Sequence, residues 1–305
     1  MINLTFVLAG NLPNAPAPAH YREAARRFAE TYKAYPPDYE HRLCLIDSNG
    51  GYSPEVAEIF AGIPHEVIVY RGSGWDIGAH VYAAYTLPAD DWVMCFSSWA
   101  HFKQRGWLKA FAEARERHGD GLYGSMASFE HRPHIRGTGF LIRCGRIQRY
   151  PYGCNSRTES LKFEVGPNSI TNWCLRQGYG AWVVAPDGVY AMEDARSIRN
   201  GFRQGDQSNI WTFDKHTAIF EAADAAERAK LTSFAYDFEN SIAANTGVLL
   251  FRPEVGDQMD PELKDQLEKL IQSDAALKII QNSVFWRATA PLRAVRRLVL
   301  GRSRS

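Results

Sequence analysis

The first 120 residues alternate between short apolar runs and segments whose apolar residues recur at helical spacing. This alternation predicts strands at 4–9, 41–47, 66–70 and 92–98, and helices at 21–35, from Ser53-Pro54 onward, at 76–85 and at 106–118. Strands that alternate with helices form a mostly parallel sheet covered by helices on both faces. In such a sheet, ligands bind beyond the carboxyl ends of the strands. We therefore expect an α/β protein with a Rossmann-like sheet and a site at that edge.

Composition excludes several functional classes. The 305-residue chain has a net charge of +1, which is not the strong basic balance of a nucleic-acid-binding protein. Its five cysteines form no C-x-x-C pair, which favours reduced thiols in the cytoplasm. The sequence shows no signal peptide and no apolar stretch of about 18 residues. We expect a cytoplasmic protein without a transmembrane helix or a nucleic-acid partner.

After Gly121 the pattern changes. Short apolar runs at 122–125, 139–143 and 181–185 lie between polar loops, and from about residue 214 the chain becomes helical, including 217–236 and 261–273. This predicts one domain over 1–213 and a helical extension over 214–305. From Arg287 onward there are six arginines and no acid, among apolar residues. Such a tail can lie on the inner face of an anionic membrane, or it can pack on the domain.

Two predicted strand ends carry candidates for binding a nucleotide. The predicted strand over 41–47 leads into Asp47-Ser48-Asn49-Gly50-Gly51. The carboxylate of Asp47 can accept hydrogen bonds from a base or a ribose, or it can simply close an Asx-turn. The predicted strand over 66–70 is followed by Gly72-Ser73-Gly74-Trp75-Asp76, which leads into a helix. The start of a helix after a strand is a position suited to phosphate binding. The glycine spacing of this segment does not match the dinucleotide fingerprint, and Asp76 can also be a helix cap.

The fourth predicted strand ends in Ser97-Ser98-Trp99-Ala100-His101. Two hydroxyl groups do not hold Mg²⁺ or Mn²⁺ as two carboxylates do. Either ion is possible only if its ligands lie elsewhere, and no metal-ligating residue is assigned.

Two loops are rich in cations and can bind a diphosphate or an acceptor, or can be solvated connectors. Their candidate residues are His131, His134 and Arg136 in the first loop, and Arg196, Arg203 and Gln207 in the second. Glu164 precedes a predicted helix over 170–176. Its carboxylate can cap that helix, or it can take a proton from an acceptor hydroxyl as a general base.

Taken in order, these segments resemble the GT-A glycosyltransferases, and in particular the inverting family that builds bacterial polysaccharides, which includes rhamnan-type transferases. The resemblance covers about residues 3–212. It is carried by Gly10-Asn11, Asp47-Ser48-Asn49-Gly50, Gly74-Trp75-Asp76-Ile77-Gly78-Ala79, Gly137-Thr138-Gly139-Phe140 and Lys162-Phe163-Glu164. Ser97-Ser98 departs from the family's acidic metal motif, and Glu164 is the one acid in the block that carries the catalytic acid.

The resemblance implies transfer of a hexose or deoxyhexose from a nucleotide-sugar donor to a glycan or lipid-linked acceptor with inversion, in cell-surface polysaccharide synthesis. It implies that Glu164 is the base. The implied donor-binding residues are Asn11, Asp47, Asn49, Gly74, Asp76, Ser97, Ser98 and His101. Two alternatives remain: a non-catalytic relative that binds a nucleotide or a glycan, and another α/β enzyme such as a Rossmann methyltransferase, which the glycine spacing disfavours.

Overall fold

A central sheet of eight strands organises the computed structural model, which describes residues 1–10, 18–130 and 132–237. The strands are β1 Ile2–Ala9, β2 Arg42–Ser48, β3 Glu66–Tyr70, β4 Trp92–Phe96, β5 His101–Phe102, β6 Gly121–Gly124, β7 Ala127–Ser128, β8 His134–Ile135, β9 Phe140–Arg143, β10 Gly180–Ala185, β11 Gly188–Ala191 and β12 Thr212–Phe213. The α-helices are α1 Pro18–Ala34, α2 Pro54–Ile59, α3 Trp75–Thr86, α4 Trp107–His118, α5 Cys144–Gln148, α6 Arg157–Glu164, α7 Ile170–Arg176, α8 Lys215–Ala222 and α9 Ala225–Tyr236, and Met192–Ser197 is a 3₁₀ helix.

The strand order confirms the predicted mostly parallel α/β sheet. Across the sheet the order is β3-β2-β1-β4-β9-β6-β10-β11. The first four of these are mutually parallel, β9 is antiparallel to both of its neighbours, and β10 is again parallel to β6. The carboxyl ends of β1, β2, β3 and β4 therefore meet at one edge, where β9 begins.

The sheet is buried on both faces because its central strands are almost wholly apolar. Every residue of β1 and β4 is buried. On one face Phe6 stacks on Phe28 of α1 at 3.8 Å, within a core that also contains Trp107 of α4. On the other face α3, α6 and α7 cover a second core around Phe140 and Phe163. Burial of each such aromatic ring contributes about 1.5–3 kcal/mol, so these two layers fix the sheet.

Two helices differ from the sequence-based prediction. The helix predicted over 170–176 is confirmed as α7, but Ser169 caps it rather than Glu164. Glu164 is instead the last residue of α6, an unpredicted helix whose Ser156 N-cap accepts the Glu159 N–H. The predicted helix over 217–236 is two helices, since Asp224 caps a new start at α9. The predicted N-cap at Ser53, with proline at the first helical position, is confirmed.

The end of the described chain packs on the sheet. Ala235 and Tyr236 of α9 are buried in the same core as β9. The predicted helix over 261–273 and the basic tail lie outside the described residues. Among the helices that are described, none is long and apolar enough to span a bilayer. All five cysteines are buried free thiols, as expected of core residues.

Candidate active site

The ends of β2 and β3 are tied together by polar contacts around Asp47. Asp47 is 7% exposed, and its carboxylate accepts hydrogen bonds from the Tyr52 N–H at 3.1 Å and from Arg71 at 2.8 Å. Asn49 adopts a left-handed backbone (φ 55°), and its amide donates to the Gly72 carbonyl at 3.0 Å. Asp47 therefore closes this turn, and its contact with a base or a ribose stays a prediction.

A pocket of about 150 Å³ opens beside this turn, between the ends of β1 and β2 and the start of α1. Its walls include Gly10, Gly51, Tyr21 and Ser53. A side chain at Gly51 would lie 1.9 Å from the Leu8 carbonyl oxygen, so glycine there lets the turn lie directly against β1. Glycine backbone and the side chains of Tyr21 and Val56 thus line the same pocket, so it offers both polar and apolar contacts to a ligand.

The glycines before α3 allow close packing. A Cβ at Gly74 would lie 2.0 Å from the Cys154 carbonyl oxygen, and one at Gly78 would lie 2.5 Å from the same atom. The Gly74 N–H donates to the Tyr70 hydroxyl at 3.0 Å, and Ser160 of α6 donates to the Gly74 carbonyl at 2.5 Å. Gly74 therefore positions the start of α3 and brings α6 against it.

Asp76 and Ser98 join the start of α3 to the end of β4. The two carboxylate oxygens accept the Ser98 N–H and the Ser98 hydroxyl, each at 2.9 Å. Burial raises the pKa of Asp76, while these hydrogen bonds and the charge of Lys215 act in the opposite direction. The neighbouring Ser97 hydroxyl accepts a hydrogen bond from Thr138 at 2.8 Å, which ties β4 to the loop before β9.

Glu164 reaches the same edge of the sheet from the end of α6. Its Oε1 accepts the Gly137 N–H at 2.9 Å, and a side chain at Gly137 would be squeezed against its carboxyl carbon at 3.1 Å. The next residue, Thr138, bonds to Ser97 at the end of β4, and the charge of Glu164 acts to raise the pKa of Asp76. The end of β4 and the carboxylate of residue 164 therefore lie at the same edge of the sheet.

Beyond Glu164 lies a group of ionisable side chains that we call the charged cluster: Glu130, His134, Arg136, Arg203, Asp214 and Lys215. Burial raises the pKa of Glu130, opposed by the charges of Arg203 and Arg136. Burial also lowers the pKa of His134, although the charge of Glu164 acts against this. The positive charge of the cluster comes from Arg136, Arg203 and Lys215.

Three of the predicted site residues are either buried in the protein or paired at its surface: His101, Arg196 and Gln207. His101 is 3% exposed and packs against Phe213, and burial lowers its pKa to about 4. Arg196 is exposed and pairs with Asp237 at 2.9 Å. Gln207 is buried and bridges the Arg203 N–H and the Thr217 carbonyl. These contacts position loops, and the ligand-binding roles of the three residues stay predictions, as do those of Asn11 and His131, which lie outside the described residues.

Sequence reasoning missed Glu130, Asp214 and Lys215. Asp214 caps α8 in a capping box with Thr217, so the pattern Asp-x-x-Thr was the available signal for a helix that starts there. The first turn of that helix carries Lys215. Nothing in the sequence indicated that this helix starts beside Asp76 and Glu164, because the contact joins segments about 50 to 140 residues apart.

Mg²⁺ and Mn²⁺ are the metal ions that a GT-A-like fold suggests. Within residues 1–10, 18–130 and 132–237, no three His, Cys, Asp or Glu side chains converge closely enough to hold a metal ion. Both oxygens of Asp76 are already engaged by Ser98. The described side chains at this edge of the sheet therefore do not fit a metal centre.

Comparisons with known proteins identify similar architectures at low identity. No protein-family model matches the chain, and no curated protein matches it. Residues 1–349 of S. aureus TarS are 9% identical over 87% of this chain and 77% of that chain, with a TM-score of 0.43. The same protein in complex with UDP-GlcNAc is 10% identical over 87% of this chain and 78% of that chain, with a TM-score of 0.39.

A nucleotidyl transferase from Methanothermobacter thermautotroptrophicus is 12% identical over 60% of this chain and 86% of that chain, with a TM-score of 0.36. Likenesses of this strength establish neither a family nor an activity for this chain.

Proposed function

We propose that this chain is a glycosyltransferase that moves a sugar from a nucleoside-diphosphate donor to an acceptor hydroxyl with inversion. The observation that supports it most is the position of the Glu164 carboxylate beside the Asp76–Ser98 pair at the carboxyl edge of the sheet. A carboxylate at that edge lies where ligands of parallel α/β sheets bind.

On the donor side, the nucleoside occupies the pocket between the ends of β1 and β2. Its base lies against the backbone of Gly10 and Gly51, and Asp47 and Asn49 offer polar atoms at the pocket's edge. The diphosphate then runs along the sheet edge toward Asp76 and Ser98. This orientation directs the sugar toward Glu164.

In the transfer step, the acceptor oxygen attacks the anomeric carbon as the bond to the diphosphate oxygen breaks. Glu164 takes the acceptor proton, and the Gly137 N–H holds one of its oxygens so that the carboxylate keeps its orientation. A positioned general base contributes about 10²–10⁴-fold to such a step. Attack from the face opposite the leaving group inverts the anomeric configuration.

The departing diphosphate needs positive charge. Lys215 is exposed in the first turn of α8, and its charge acts on Asp76, so its ammonium group lies close to the predicted diphosphate path. His101 is buried, and burial lowers its pKa to about 4, so a contact of His101 with the diphosphate would be made by a neutral imidazole. We assign the leaving-group contact to Lys215, since a nearby cation stabilises charge that develops in the transition state.

The acceptor class that we propose is a glycan or lipid-linked glycan of cell-surface polysaccharide synthesis, with a hexose or deoxyhexose as the donor sugar. This follows the resemblance of the site segments to inverting polysaccharide transferases. Peripheral contact with a membrane through residues 285–305 belongs to the same proposal.

Replacement of Glu164 by Gln tests the proposal. Glu164→Gln keeps the shape of the side chain and its contact with Gly137 but cannot take a proton. We expect nucleoside-diphosphate affinity within about twofold of wild type and a fall in turnover of at least about 100-fold. The measurements are calorimetric titration with UDP, GDP and dTDP, and transfer from the matching sugar nucleotides to a panel of glycan acceptors.

The matched control is Glu113→Gln on the exposed face of α4, where the carboxylate makes only a surface contact with Lys109. It should leave both binding and turnover unchanged. Equal turnover in Glu164→Gln and wild type would remove Glu164 from the mechanism. Nucleotide binding without turnover in the wild-type chain would instead support the alternative of a non-catalytic nucleotide- or glycan-binding protein.

A further inference from the structure

Two nearly buried arginines share one aromatic ring in the charged cluster. The guanidinium carbons of Arg136 and Arg203 lie 4.4 Å and 5.2 Å from the centre of the Phe202 ring. The two residues are 9% and 7% exposed. Arginine stays protonated at any ordinary pH, so two positive charges are held close together where water has little access.

The guanidinium groups of Arg136 and Arg203 lack hydrogen-bond acceptors among the described residues. The Nε atoms of both arginines are buried without a hydrogen-bond partner, and no described residue accepts a hydrogen bond from either guanidinium group. Arg136 Nη2 lies 3.9 Å from Asp214 Oδ2, which is an ion pair longer than a hydrogen bond. One oxygen of Asp214 is already engaged, because it accepts the His216 and Thr217 N–H groups at the start of α8.

Glu130 is the neighbouring acid whose charge acts most strongly on Arg203. Among the described residues, however, it forms no ion pair within 4 Å with either arginine, and Arg136 pairs only with Asp214. A buried cation without an acceptor is costly, and natural structures rarely leave one. The pair therefore has the properties of a site whose anion arrives with a ligand.

The position of the pair indicates which ligand. The Arg136 N–H donates to the Met126 carbonyl, just beyond β6, and Phe202 lines a cavity with Val183 of β10. The predicted nucleoside pocket lies at β1 and β2. From β2 to β6 there are four strand spacings, or about 19 Å at about 4.8 Å each, with Glu164 between.

We infer that Arg136 and Arg203 bind an anionic group, of the phosphate or carboxylate kind, that is carried by the acceptor. This inference rests on the proposed function, because it places the acceptor on the far side of Glu164 from the donor. An inverting displacement requires that placement, since the acceptor oxygen approaches opposite the leaving diphosphate. A guanidinium group can donate two parallel hydrogen bonds to a phosphate or carboxylate group. The shared Phe202 ring fixes the orientation of both guanidinium groups.

Titration with inorganic phosphate tests the site. The wild-type chain should bind phosphate, and Arg203→Met should weaken this binding at least tenfold. Arg203→Lys keeps the positive charge but loses the planar guanidinium group, so its loss of phosphate affinity should be smaller than that of Arg203→Met. The matched control is Arg199→Met, an exposed arginine in the same segment, and its phosphate affinity should equal that of wild type. Circular dichroism and melting curves establish that each variant is folded.

A second titration separates an acceptor site from a donor site. Phosphate is titrated into protein that is saturated with whichever of UDP, GDP or dTDP binds the wild type. An acceptor site predicts that phosphate still binds with unchanged affinity, and that Arg203→Met leaves the nucleoside-diphosphate affinity unchanged. Competition between the two ligands, or a tenfold loss of nucleotide affinity in Arg203→Met, would show that the pair serves the donor diphosphate and would overturn the inference.

Absence of phosphate binding by the wild-type chain would also overturn it. If no nucleoside diphosphate binds, the proposed function fails and the acceptor assignment falls with it. The phosphate titration is read separately, so this failure is distinguishable from failure of the anion site alone.

Discussion

Two buried histidines should make the stability of this protein sensitive to acid. His80 is 1% exposed and its Nδ1 lies 2.9 Å from the Thr5 hydroxyl, while His101 is 3% exposed. Burial lowers the pKa of His80 to about 3 and that of His101 to about 4. Both are therefore neutral in the folded protein, whereas in the unfolded chain they titrate near their ordinary value of 6.5.

Below pH 6.5 the unfolded chain binds more protons than the folded protein, so the free energy of unfolding falls as the pH falls toward the folded-state pKa values. We expect each histidine to contribute a loss of about 2 kcal/mol between pH 6.5 and 5. Urea unfolding across this range measures the loss. His101→Gln should flatten the profile, while His20→Gln on the exposed part of α1 should not. An identical pH profile in His101→Gln would contradict this account.

At the residue scale, the sequence indicated Asp47, Asp76 and Glu164 because each follows or precedes a recognisable strand or helix. It could not indicate which way a side chain points. His101 follows the predicted diphosphate strand, yet its ring faces Phe213 in the core. Lys215 comes from a helix that only the tertiary fold brings beside Asp76.

At the scale of elements, the packing of α3 against the segment before α6 depends on Gly74. An added methyl group there would meet the Cys154 carbonyl oxygen at 2.0 Å, and backbone cannot move aside as a flexible side chain can. We expect Gly74→Ala to lower the free energy of unfolding by about 1–3 kcal/mol, the usual cost of overpacking. Because α3 carries Asp76, nucleotide affinity should fall as well.

Gly188→Ala is the control for that substitution. Its added methyl group would make ordinary contact with the Tyr190 ring at 3.6 Å. Urea unfolding of the two variants and of wild type measures the difference. Equal stability of Gly74→Ala and wild type would mean that α3 shifts freely, against the close packing described above.

The elements themselves were largely predictable. Strand β3 was predicted at its observed bounds, and β1, β2 and β4 to within about two residues, because apolar runs between turn residues are a strong signal. The two-residue strands β5, β7 and β8 were not predicted, since they are too short to show a pattern. Helix α6 was not predicted, since its eight residues carry little periodicity. Ser156 and Glu159 were its sequence signal, as Ser-x-x-Glu is typical of a helix start.

At the scale of the whole molecule, α8 and α9 connect the predicted extension to the site. The Tyr236 hydroxyl of α9 donates to the Phe202 carbonyl at 2.7 Å, and Thr232 donates to the Arg203 carbonyl at 2.6 Å. These bonds hold the segment that carries the arginine pair. The predicted boundary between residues 213 and 214 is a sequence-based division, and the described helices pack across it.

Tyr236→Phe tests whether that packing contributes to the stability of the whole protein. The substitution removes only the hydroxyl and leaves the buried Phe202 carbonyl without this donor, so we expect a loss of about 1–2 kcal/mol. Tyr85→Phe is the matched control, since the Tyr85 hydroxyl makes a 3.1 Å hydrogen bond at the exposed surface. Its removal should lower the free energy of unfolding by less than about 0.5 kcal/mol.

Both variants are measured by urea unfolding monitored by circular dichroism and by tryptophan fluorescence. If α9 belongs to one cooperative unit with the sheet, the two probes shift together in Tyr236→Phe. An unchanged main transition, with a separate early transition, would instead place α8 and α9 in an independently folding extension.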